Sequence, residues 1–265
     1  MPPKQPNRPD RRPGQSDRRQ PNRRQSDRRQ SEGNRSRGGD DRQPRRGSIA
    51  AVPTGDLPRW VRDEITRTAP KARREPAITH LTKAVSEFAD ERYGAAYTQL
   101  RSAKDLAPQA ATIRELLGLS AYHLGKWEEA LRELRTFRRI TGEPTQVPVE
   151  LDCLRALGRT EDVEKTFRQL KELDPRSETD DEARVVFASS LLERDLVADA
   201  WRVIKPGRLI ANPRTSTLRR WYVASRVAAA SGDAATARQI MEAIVDADSD
   251  FPGLVELREE IAAAD

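Results

Sequence analysis

Two imidazoles, one thiol and a few paired carboxylates are the side chains of this 265-residue chain whose chemistry could act on a substrate. His80 and His123 have no carboxylate or cysteine at ligand or triad spacing. Cys153 stands alone among Leu151, Leu154 and Leu157. It reads as a packing residue, excludes an internal disulfide and any multi-cysteine metal site, and suits a reducing cytoplasm. Glu128 and Glu129, like Asp180, Asp181 and Glu182, fall at expected helix starts, where the macrodipole favours negative charge. No Gly-rich phosphate loop, H-E-x-x-H or G-x-S-x-G occurs. The residues therefore predict no catalysis, no metal and no cofactor. Recognition by shape and charge is the chemistry left.

Charge is unevenly placed. Residues 1–48 hold 15 of the 48 basic side chains against 6 of the 42 acidic ones, net +9, which leaves 33 against 36, net −3, for residues 49–265. From Pro2 to Ser48 there is no aliphatic or aromatic side chain, and Ile49 is the first. A segment with nothing to bury cannot offset its chain entropy, so 1–50 is expected to be a disordered, low-complexity tail. Its Arg pairs are Arg11 and Arg12, Arg18 and Arg19, Arg23 and Arg24, Arg28 and Arg29, and Arg45 and Arg46. They could engage phosphates non-specifically, each contact adding a salt slope of about −0.7 to −0.9. The tail lacks an aromatic residue to stack on bases, so contact with RNA or a ribosome would be weak in sequence preference. No apolar run is long enough for a membrane span and the N-terminus has no apolar signal core, which predicts a cytoplasmic protein.

The elements that would position these groups are helical. A glycine or polar turn followed by a small residue recurs as Gly125-Lys126-Trp127-Glu128-Glu129-Ala130, Gly158-Arg159-Thr160-Glu161-Asp162-Val163 and Gly232-Asp233-Ala234-Ala235-Thr236-Ala237. Turn positions 91, 125, 158, 195 and 232 are spaced by 34, 33, 37 and 37 residues, the period of stacked helix pairs. The fold class read from this is all-α, a helical-hairpin solenoid with five units over 76–107, 111–141, 144–174, 181–206 and 215–248. Pro108, Pro175 and Pro213 punctuate the linkers. Within 51–75 a short amphipathic helix opens at Pro58 and sets Trp60, Val61 and Ile65 on one face. Within 251–265, Leu254, Leu257 and Ile261 form the apolar face of a capping helix.

Unit two, Leu117-Gly118-Leu119-Ser120-Ala121-Tyr122-His123-Leu124-Gly125-Lys126-Trp127-Glu128-Glu129-Ala130-Leu131, resembles the tetratricopeptide repeat, with small residues where helices cross and large ones between them. Gly118, Ala121 and Ala130 take the small places; Leu134 and Phe137 supply packing, as Trp127 and Trp201 do on second helices. The resemblance extends over 76–250, through Ala84, Ala96 and Ala103, Leu154, Phe167 and Leu170, Ala188 and Ala200, and Trp221 and Ala237. It implies a TPR-like superhelix whose first-helix face forms a groove for an extended peptide or a partner helix. Carried over residue by residue, the groove would present Glu115, Leu119, Tyr122 and His123, then Asp152 and Arg155, Ser189 and Glu193, and Arg219, Tyr222 and Arg226. Arg219 and Arg226 would make a basic end able to take a carboxylate. The paired Lys and Asn clamp for chaperone C-termini does not fit, because 49–265 hold one Asn, Asn212, in a linker. The expected function is a non-enzymatic scaffold or adaptor. The alternative is an RNA- or ribosome-associated protein bound chiefly through the tail.

Overall fold

The computed structural model describes residues 56–264, and the Arg pairs of the tail lie outside them. Among the described residues there are twelve helices and no strand. They are α1 (Arg59–Thr68), α2 (Lys71–Ala89), α3 (Tyr93–Leu106), α4 (Ala111–His123), α5 (Trp127–Thr141), α6 (Val147–Ala156), α7 (Thr160–Glu172), α8 (Ser177–Leu192), α9 (Val197–Ile204), α10 (Thr215–Ala230), α11 (Ala234–Ala247) and α12 (Leu254–Ala263). None of these helices is long and apolar enough to cross a membrane. Helices α2 to α11 pair as five hairpins, and each second helix also packs on the first helix of the next pair, α3 on α4 through to α11 on α12. The fold is a helical-hairpin solenoid.

The turn inside each hairpin is built the same way five times. Glu91, Gly125, Gly158, Asp195 and Gly232, the positions marked by the sequence period, all lie in the left-handed region, with φ of 57, 68, 68, 59 and 80°. Each turn residue's N–H donates to the carbonyl three residues back, at 2.9–3.0 Å. The following N–H reaches five residues back: Arg92 to Glu87, Lys126 to Ala121, Arg159 to Leu154, Leu196 to Leu191 and Asp233 to Ala228, at 2.8–3.0 Å. This double closure is the Schellman motif, and it satisfies carbonyls that a helix end leaves open.

Small residues set the spacing of the layers. A Cβ on Gly118 would lie 2.6 and 2.7 Å from Cδ2 and Cγ of Leu134, so α4 and α5 meet at a distance that only glycine permits. Ala84, Ala96, Ala103, Ala121, Ala130, Ala188, Ala200 and Ala237 are all fully buried. Val163 takes the corresponding place in α7 and is also buried, so the third hairpin accommodates a larger residue there.

Two units begin earlier than their composition suggests. Helix α2 starts at Lys71 and carries Pro76 inside it. The ring costs one backbone bond, but Ala77, Ile78 and Leu81 behind it are buried and hold the helix together. Helix α8 starts at Ser177. The lengthened period after residue 158 comes from the first helices: α8 and α10 have 16 residues each, against 13 in α4 and 10 in α6. It also needs the irregular linker 205–214 that follows the eight-residue α9. Arg220 fastens that linker, donating from Nε to the Ile204 carbonyl at 3.1 Å and from Nη2 to that of Lys205 at 2.8 Å.

Helix α1 docks through Val61 and Ile65, both fully buried, each contributing about 1.5–3 kcal/mol. Its buried Glu64 crosses to the start of α4, where one carboxylate oxygen accepts from Ala111 N–H at 2.9 Å and the other from Thr112 N–H and hydroxyl. A side chain 47 residues away thus caps a helix that has no capping side chain of its own. At the other end Leu254, Leu257 and Ile261 of α12 are buried against the last hairpin.

Two glycines give a test of opposite sign. Gly94 lies in helix α3 with nothing within 4 Å of a Cβ, whereas Gly125 is left-handed. Gly94→Ala is expected to raise unfolding stability by about 0.5–1 kcal/mol, and Gly125→Ala to lower it by about 1–2 kcal/mol. Urea melts of the two variants measure both.

Candidate functional site

Successive first helices touch along the row α2, α4, α6, α8 and α10, with α12 closing it, whereas no second helix makes more than marginal contact with another. The first helices therefore form one continuous face of the stack. Position three before the first four left-handed turns recurs along this row as Phe88, Tyr122, Arg155 and Leu192, each partly exposed, while before the fifth it is the buried Ala229. The helical period presents them in register from consecutive hairpins.

Four of the expected groove residues form one chain of bonds on this face. The Tyr122 hydroxyl donates to Asp152 Oδ2 at 2.5 Å. Arg155 donates to Asp152 Oδ1 from Nε at 2.8 Å and Nη2 at 2.7 Å, and from Nη1 to Glu193 Oε1 at 2.6 Å. The chain runs from α4 through α6 to the end of α8, so it ties three hairpins together as well as lining their face. Burial, followed by the bond to Asp152, pushes the Tyr122 phenol above its ordinary range.

His123 is exposed at the end of α4 but held between rings. It stacks on Tyr93 at 3.9 Å with 2° between planes and meets the edges of Phe88 at 5.9 Å and Tyr122 at 5.6 Å. Desolvation by these neighbours lowers its pKa, against a smaller upward pull from Glu91. The aromatic group of Phe88, Tyr93, Tyr122, His123 and Trp127 was not apparent as a unit in the sequence. Its signal is present all the same, because Phe88 and Tyr122 occupy the same offset from successive turns.

Other expected positions are placed differently. Glu115 and Leu119 are buried at 3% and 8% exposure, and Glu115 accepts from Gln146 Nε2 at 2.7 Å. Glu115 thus reaches the neighbouring hairpin, and neither residue is exposed on an open surface. Ser189 is partly exposed on α8. Tyr222 leans on Phe251, ring centroids 5.8 Å apart, and covers Gly253. Arg219 and Arg226 do not combine into a basic end. Arg219 holds Glu182 at 2.7 Å, and Arg226 holds Glu260 through Nε at 2.8 and 3.1 Å. Seven residues separate them along α10, about 10.5 Å of rise, and each charge is already matched, so this end of the face is neutral.

The remaining chemistry-bearing groups are held by contacts or buried within the fold. The His80 ring nitrogen Nδ1 lies 2.7 Å from Gln99 Oε1. Asp181 accepts from Thr217 at 2.9 Å and Arg220 at 3.1 Å, so the acidic run at α8 reaches across to α10 in addition to lying near a helix start. Cys153 is buried, and desolvation raises its thiol to about 12. No family model matches the chain, and no curated protein matches it.

Two consequences are measurable. Because the folded His123 has a lower pKa than the ordinary value of about 6.5, the unfolded chain takes up the proton first as pH falls. Its stabilising effect is complete above that value and is lost as the pH falls below it, so His123→Phe should flatten the pH dependence of the melting temperature on acidification below about pH 6.5. A maleimide probe should label Cys153 only after denaturant unfolds the chain, since the buried thiol is protonated at neutral pH.

Proposed function

We propose that this chain is a non-enzymatic scaffold of the tetratricopeptide-repeat kind, binding a partner peptide or helix along its first-helix face. The observation that carries this reading is the equivalent presentation of Phe88, Tyr122, Arg155 and Leu192 by four successive hairpins joined through identical turns. A regularly stepped, partly exposed row suits a ligand that runs across several repeats. The ordered Tyr122, Asp152, Arg155 and Glu193 chain supplies polar contacts already fixed in place, which lowers the entropy cost of binding. Because the charges on this face are matched within the chain, recognition rests on shape, the aromatic end at His123 and exchange of hydrogen bonds. The single buried thiol suits a cytoplasmic setting. The Arg-rich tail serves as a tether to anionic surroundings, raising the effective concentration of the pair without a tight second site.

The test is affinity purification of the full chain from untreated and from nuclease-treated lysate beside Ser189→Arg/Glu193→Arg, with melting curves to verify folding. Partners should co-purify with the parent chain and fall about tenfold or more with the folded variant. Retention of every partner by the variant rejects the first-helix face. Loss of every partner on nuclease treatment alone transfers the function to the Arg pairs of the tail.

A further inference from the structure

The second-helix side carries a cleft of a different character. It opens over α5 and the start of α7, holds about 590 Å³, and is lined by Glu128, Leu131, Arg132, Arg135, Arg139 and Arg159. Four guanidinium groups face one carboxylate there, on a body whose net charge over residues 49–265 is −3.

Two of the four are matched. Arg132 lies 3.4 Å from both Glu129 and Glu133, and Arg159 holds Asp162 at 2.6 Å. Arg135 reaches only Glu150, at 3.8 Å, and that carboxylate is already occupied by Arg138 Nε at 2.9 Å and Nη2 at 3.0 Å. Among the described residues no carboxylate lies within ion-pair distance of Arg139. Two positive charges, four residues apart on one ridge of α5, are thus left over at the mouth of a cleft. Their Cβ atoms stand about 5–6 Å apart, a spacing that acidic side chains match at i and i+4 of a helix or, at about 7 Å, at i and i+2 of an extended strand.

We propose that this cleft is a second docking site, on the face opposite the first-helix row, for an acidic peptide segment of a partner protein. Guanidinium forks take carboxylates in planar, two-bonded fashion. The floor formed by Leu131 and the arginine stems accepts the methylenes of Glu or Asp side chains. A nucleic-acid strand fits less well. No aromatic ring lines the cleft to stack a base, and the Thr136 hydroxyl is spent on the Arg132 carbonyl at 2.9 Å. The site is independent of the reading given to the first-helix face and stands if that reading falls.

Fluorescence anisotropy on the full chain tests it, with a labelled Glu/Asp-rich peptide and a labelled oligouridine RNA as the two probes. Arg135→Gln/Arg139→Gln should weaken the peptide by about tenfold or more while leaving the RNA within about twofold of the parent. Lys71→Gln/Arg73→Gln, the same charge loss at exposed positions of α2, should leave both unchanged. Arg139→Glu alone repeats the test at a position without an internal partner, in case loss of Arg135 disturbs Glu150. Peptide binding that is absent in the parent, equal in the variants, or lost equally in the α2 control overturns the site. A parallel fall in RNA affinity overturns the acidic-peptide assignment and makes the cleft a phosphate-backbone contact.

Discussion

The left-handed residue that closes each first helix is the constraint on which the rest of the structure depends. It reverses the chain within a few residues and leaves the next residue, the cap of the second helix, in one narrow conformation: φ from −81 to −94° and ψ from 56 to 69° at Arg92, Lys126, Arg159, Leu196 and Asp233. Only Asp233 adds a side-chain cap, accepting from Thr236 N–H at 3.0 Å. Hairpin geometry therefore follows from the turn, not from side-chain capping. Where Glu91 and Asp195 replace glycine, the strain of about 1–2 kcal/mol is offset by the same pair of backbone bonds and by the packing on either side.

Once the hairpins share a shape, something must fix how far one slides on the next. Alanine faces alone specify this weakly, because small apolar surfaces have few features to interlock. Carboxylates at the junctions supply it. Glu64 joins α1 to α4, and Glu133 of α5 takes Lys104 of α3 at 3.2 Å and Arg114 of α4 at 2.5 Å. Glu150 of α6 takes Arg138 of α5, Asp180 of α8 takes Lys171 of α7 at 2.7 Å, and Glu260 of α12 takes Arg226 of α10. Burial alone would raise the Glu133 carboxyl, yet Arg114 and Lys104 hold it below its usual range, while at Glu150 burial outweighs Arg138 and the value rises. Buried pairs of this kind add less to stability than to definition, since apolar replacements often fold as well. A side chain of fixed reach with partners on a neighbouring helix nonetheless defines a single register.

Local signals were readable in the sequence and distant pairings were not. The turns at 91, 125, 158, 195 and 232 could be read because a left-handed residue selects its own type within a few positions, and all five have positive φ. The apolar faces of α1 and α12 were legible for the same reason. The burial of Glu115 and Leu119 was not legible, because buried and solvent-facing residues alternate on one helix and the motif of a single unit does not say which is which. Arg219 and Arg226 looked available because their partners lie 37 and 34 residues away, at Glu182 and Glu260. Those separations match the repeat period. Opposite charges one period apart are therefore the signal that pairs such residues, and it becomes visible only when the register is known.

The same register explains why the two faces differ in charge. First helices touch one another, so a charged side chain on that row finds a partner one repeat away, as Arg155 finds Glu193 and Arg219 finds Glu182. No two second helices are in close backbone contact, and side chains bridge them at α3 and α5, through Tyr97 with Glu129 and Lys104 with Glu133, so elsewhere their outward charges meet few partners from adjacent repeats. Arginine charge in excess of its partners then collects where a second helix carries several on one ridge, as α5 does with Arg135 and Arg139 beside the matched Arg132. A solenoid of this build neutralises its first-helix row through its own periodicity and leaves its second-helix row freer to vary in charge. Selectivity for ionic partners is accordingly easier to build on the second helices than on the first.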